Sequence, residues 1–113
     1  MDWSKPTTQL LGRFQPWHEG HTELFKRAYA KTGQVIVMVR DTNEYMTTKE
    51  VIDNIYENLK TDYDTETFEV LRVPNIVNIT YGRDVGYAIE QERLDADVEA
   101  ISATAIRNAK SQS

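Results

Sequence analysis

Residues 7–40, TTQLLGRFQPWHEGHTELFKRAYAKTGQVIVMVR, decide the fold class. Thr7–Arg13 reads as a first strand, and TELFKRAYAKTG places Leu24, Phe25, Ala28 and Tyr29 at helical spacing, with Gly33 set to end the helix. Five consecutive apolar residues follow, Val35–Val39, the pattern of a strand covered on both faces as in a parallel sheet. Strand, loop, helix and strand make a βαβ unit.

The alternation continues. Thr48–Lys60 carries Val51, Ile52, Ile55, Tyr56 and Leu59 on one helical stripe, and Phe68–Val73 reads as a third strand. Beyond Pro74 only Asn75 separates that proline from the next apolar run, IVNITY, whereas a parallel crossover needs a dozen or more residues; one of these pieces is expected to be a bent extension. YAIEQERL fits neither the helical nor the strand period. SATAIRNAK is helix-like, with Ser102 as N-cap and Thr104 in the first turn, and the polar tail KSQS is expected to fray. The pattern predicts one domain over residues 1–113: an α/β, Rossmann-like three-layer α/β/α sandwich with a mainly parallel sheet of about five strands.

Composition narrows the function. The chain has 113 residues, 40% hydrophobic and 27% charged, and no apolar run approaches the ~18 residues of a membrane span. The N-terminal MDWSKPTTQ does not resemble a signal peptide, and the absence of cysteine excludes disulfides, thiolate zinc sites and cysteine nucleophiles; the expected address is cytoplasmic. A formal net charge of −5 argues against nucleic acid as a partner, because non-specific binding draws on a large positive field. An anionic ligand must therefore be caught by a local site.

GRFQPWHEGH, residues 12–21, is the place for it: it holds both histidines of the chain and leaves the carboxyl end of the first strand, where open α/β sheets bind ligands. Gly12 and Gly20 allow close approach of backbone and phosphate, Pro16 stiffens the path, and a helix starting near His21 offers unpaired N–H groups to an anion. An imidazole there donates one N–H when neutral and two when protonated. Two histidines at i and i+3 with no evident third ligand are weak for zinc. Arg13 and Arg40 end strands one and two and point to the same rim, with Asp41 next to Arg40. For Trp17, Tyr81 and Tyr87 ordinary packing is preferred over stacking on a base, and Asp62, Asp64, Glu66 and Glu69 read as a solvated acidic loop.

Gly12, Phe14, Pro16, His18, Gly20 and His21 fit G-x-F-x-P-x-H-x-G-H, and in these residues the chain resembles the nucleotidyltransferase superfamily of NTP-dependent adenylyl- and cytidylyltransferases. A second signature of that superfamily, I-S-x-T-x-I-R, is matched by ISATAIR at Ile101–Arg107. The wording is similar to that of nicotinamide mononucleotide adenylyltransferase-like proteins, and next to that of the small glycerol-3-phosphate cytidylyltransferases. The resemblance implies transfer of AMP or CMP from ATP or CTP to a small phosphorylated acceptor, with release of pyrophosphate and with Mg2+ brought by the NTP. It implies catalytic roles for His18, His21 and Arg107, and nucleotide contacts from Gly12, Arg13, Phe14, Gly20, Arg83, Asp84, Ser102 and Thr104. Arg40, Asp41 and Lys49 are the candidates for acceptor or phosphate contacts.

Class I aminoacyl-tRNA synthetases share the H-x-G-H corner, but the length and acidic balance of this chain make tRNA charging the poorer fit. The other alternative is a reduced NTP-binding module without turnover, acting in an oligomer or larger assembly. The small size also leads us to expect a homodimer.

Overall fold

The computed structural model describes residues 1–42, 46–83, 86 and 88–91. Within them the chain runs β1 (Thr8–Gly12), α1 (Glu19–Thr32), β2 (Val35–Arg40), α2 (Thr48–Leu59) and β3 (Phe68–Val73). The three strands form one parallel sheet in the order β1-β2-β3, with Val37 of β2 facing Leu10 on one side and Val70 on the other. Each strand thus pairs with its successor, and each crossover is a helix.

α1 ends where the pattern requires: Gly33 takes a left-handed φ of 78°, and its N–H closes the last turn on the Tyr29 carbonyl at 2.7 Å. α2 is opened by a capping box, in which the Thr47 hydroxyl accepts from the Glu50 N–H and the Glu50 carboxylate accepts from the Thr47 N–H. Its buried stripe is Val51, Ile55 and Leu59, one residue per turn.

Burial alternates along β2. Val35, Val37 and Val39 are sealed in the core, while Ile36 and Met38 are half-buried. Phe68 explains the asymmetry, because Phe25 of α1 meets its ring edge-on at 5.6 Å and Tyr56 of α2 lies 5.3 Å from it. Both helices therefore cover the same face of the sheet. The described residues make two layers of the Rossmann-like α/β fold expected, a parallel sheet and the helices on one face of it, and within them Val35–Val39 is covered fully on one face only. Burying Phe25 and Phe68 contributes roughly 1.5–3 kcal/mol each.

The apolar run 76–81 is not a strand. The Ile76 N–H turns back onto the Pro74 carbonyl at 2.7 Å, a three-residue turn that ends β3, and Val77, Ile79 and Tyr81 are exposed. Tyr81 is thus a surface residue, Arg83 does not follow a strand, and residues 88–91 have no regular structure. Glu69 belongs to β3, while Asp62, Asp64 and Glu66 do lie in an exposed loop. The last helix at SATAIRNAK lies outside the described residues.

At the opposite edge Gln34 holds the N-terminal segment. Its buried carboxamide donates to the Asp2 carbonyl and to Thr7 Oγ1 at 2.8 Å each, and accepts from the Asp2 N–H at 3.1 Å.

Candidate functional site

Register builds the site. Gly12, Val39 and Arg72 form the last three-strand row of the sheet, on the face that the helices cover. A Cβ on Gly12 would lie 2.9 Å from the Phe14 ring, so the glycine makes room for that ring. Phe14 holds a left-handed φ of 53°, a conformation that costs a non-glycine residue on the order of 1–3 kcal/mol and needs support from its surroundings. Burial supplies that support: Phe14 is 4% exposed, 5.1 Å from the Trp17 ring and edge-on to His21 at 5.0 Å. Phe14 is therefore backing for a histidine. Trp17 is buried too, and its indole N–H donates to Thr22 Oγ1 at 2.8 Å, so it packs as expected.

The helix starts two residues earlier than the pattern suggested, at Glu19, with His18 as its N-cap and His21 inside the first turn. His18 Nδ1 accepts from the Gly20 N–H at 2.9 Å, and His21 Nδ1 accepts from the His18 N–H at 3.3 Å. The two imidazoles close a reciprocal capping box and stack at 3.8 Å. Backbone N–H groups expected to await an anion are thus engaged, since those of His21 and Thr22 also bond to the His18 carbonyl. The side chains are thus the main source of donors left for a ligand.

Tautomer follows from the bonding. With Nδ1 accepting in both rings, each neutral imidazole carries its proton on Nε2. Burial pushes the His21 pKa down to about 3, with the neighbouring His18 adding to the effect. Burial also lowers His18, against a raising influence from Glu19. Both shifts favour the neutral ring, the form that donates through Nε2. His18 Nε2 is buried without a partner among the described residues, an unmet donor of the kind that a ligand oxygen satisfies.

A second group of expected residues lies at the start of α2. Asp41, Lys49 and Arg72, with Thr47, Thr48 and Ile52, line a cleft of about 470 Å³ at the carboxyl ends of β2 and β3. Arg72 grips Asp41 Oδ2 with Nη2 at 2.7 Å and Nε at 2.9 Å. Lys49 pairs with Asp53 at 2.8 Å, and that bond raises its pKa. Arg40 does not join the cleft: its Nη1 donates to the Ile76 carbonyl at 3.1 Å. Arg83 is exposed in a bend. Arg13 is half-buried at the end of β1.

Arg72 and Gln15 escaped the sequence reading. Arg72 is found only once strand register places it beside Asp41. Gln15 occupies a variable position of the first motif, yet it is 2% exposed, and its Oε1 accepts from the Met46 N–H at 3.1 Å. Asp84, Tyr87, Ser102, Thr104 and Arg107 lie outside the described residues.

The histidine corner falls inside a segment that is similar to a known family. The model of the cytidylyltransferase-like family matches residues 10–55, from β1 through most of α2. This segment is nucleotidyltransferase-like. No curated protein matches the chain. The nucleotidyltransferase-like segment thus contains the capped histidine pair, Gln15, Asp41 and Lys49, and stops short of Arg72. No helix among the described residues is long and apolar enough to cross a membrane.

Proposed function

We propose that this chain transfers a nucleoside monophosphate, AMP or CMP, from ATP or CTP to a small phosphorylated acceptor. One observation carries the reading: two imidazoles, held neutral and in the same tautomer, present Nε2–H donors within the nucleotidyltransferase-like segment. In the reaction an acceptor phosphate oxygen bonds to the α-phosphorus, the bond from that phosphorus to the bridging oxygen of the β-phosphate breaks, and pyrophosphate leaves with the electron pair. No covalent enzyme intermediate forms. The protein's task is alignment and the stabilisation of charge on phosphate oxygens, which N–H donors in a water-poor corner perform without changing protonation state.

The cleft beside Asp41, Lys49 and Arg72 is the acceptor side of this reading, its two cations facing the acceptor phosphate. Ser102, Thr104 and Arg107 hold the outer phosphates, by the motif they share with the superfamily. Mg2+ would arrive with the triphosphate, where it neutralises phosphate charge. The reading includes a homodimer, which the exposed Val77, Ile79 and Tyr81 support and sedimentation at micromolar concentration tests.

The test is pyrophosphate release from each NTP with Mg2+ and a panel of phosphorylated acceptors. Release with one acceptor supports the reading. NTP binding with silence across the panel would leave a nucleotide-binding module, and no NTP binding would overturn both.

A further inference from the structure

The loop that carries the histidines and the segment that begins α2 come from different strands, and Gln15 joins them. Its side chain is buried, and the Met46 N–H that it binds immediately precedes Thr47, the N-cap of α2 and a wall of the cleft. Met46 also packs against the core through its side chain. A buried carboxamide is costly unless bonded, and a hydrophobic residue of that size would fill the same space at less risk. The bond it makes links the two places where the proposed reaction needs its reactants.

We infer that Gln15 is a positioning residue that fixes the distance between the histidine corner and the cleft, so that occupation of the corner is felt at the start of α2. The inference rests on reading the corner as a nucleotide site. Near-attack alignment across two loops requires such a link, because a misplacement of about 1 Å costs on the order of a hundredfold in rate. Phe14 and Trp17 hold the histidine loop to the core, and Gln15 holds it to the neighbouring loop.

The experiment uses the full chain, labelled with 15N, and MgATP and MgCTP as probes. Nucleotide affinity is measured by calorimetry, and the response of the Thr48 and Lys49 amides by their chemical shifts at saturation. In Gln15→Leu the nucleotide dissociation constant stays within about threefold of wild type, while the amide response falls at least about fivefold, the factor that one ordinary hydrogen bond carries. Gln15→Glu, which keeps an acceptor oxygen at the same reach, restores the response. If Gln15→Leu does not fold, Gln15→Asn, one methylene short, takes its place with the same expectation. A role confined to folding would lower the melting temperature and leave the response intact, and that result overturns the inference. A wild-type chain that binds nucleotide without moving Thr48 and Lys49 overturns it as well, with the corner still standing. A wild-type chain that binds neither nucleotide overturns the reading of the corner and the inference together.

Discussion

At the end of β1 the chain enters α1 through His18 and His21, and at the end of β2 it enters α2 through Thr47 and Glu50. Both corners are capping boxes with the same spacing, N-cap to N3, and each ties two backbone N–H groups into side-chain bonds. They differ in what is left over. Threonine and glutamate spend their polar atoms on one another and on the backbone, at an exposed helix start. Each imidazole spends Nδ1 on the backbone and keeps Nε2–H. A cap made of rings with two nitrogens is therefore a helix start and a fixed pair of donors in one device, at the cost of burying groups that would otherwise be charged in acid.

The sharpest way to break this comparison is to give the first corner an ordinary cap. His18→Asn keeps an N-cap acceptor and removes the Nε2 donor; stability should change by only a few tenths of a kcal/mol, while turnover falls on the order of 100- to 1,000-fold. Pyrophosphate release and thermal melting, read on one sample, check this, and an unchanged rate would reduce His18 to a cap. Gly12→Ala strikes the backing of the same corner. The new methyl meets the Phe14 ring at 2.9 Å, and the overpacking should cost about 1–3 kcal/mol by denaturant unfolding, with turnover reduced because Phe14 supports His21.

Acid tests the burial. The His21 pKa is about 3 folded, against about 6.5 for an unperturbed histidine, so between those values the unfolded chain binds the extra proton. Folding stability should therefore be flat above about pH 6.5, fall as the pH is lowered toward 3, and level off below that for this group, with a slope approaching one proton. His21→Phe, measured over the same range, should lose that part of the slope. The smallest effect belongs to the second corner. Glu50→Ala should cost about 0.5–1 kcal/mol and leave nucleotide affinity unchanged, since nothing in that box is left for a ligand.

The strands and helices were legible because each is bounded by something chemical. Phe68–Val73 is the strand that its apolar residues mark, and Gly33 stops α1 where a left-handed residue is needed. Which face of β2 the described helices cover was not legible, since an unbroken run such as Val35–Val39 says that a strand is apolar without saying which face is covered. At the site, the positions of the histidines were plain but their local role was not: spacing of N-cap to N3 was present, yet threonine and glutamate are the residues that usually announce it. The packing role of Gly12 was not legible, because its neighbour in space, Phe14, reaches back over it through a backbone turn that no periodicity reports. Arg72 required pairing register, which a single strand does not contain.

Gln34 carries a practical consequence. One side chain with three good bonds to residues 2 and 7 makes the first residues part of the folded body. Trimming them would strand a buried carboxamide, and a protease or an affinity tag acting there would loosen the edge of the sheet. Engineering of this chain should leave its first strand's approach untouched.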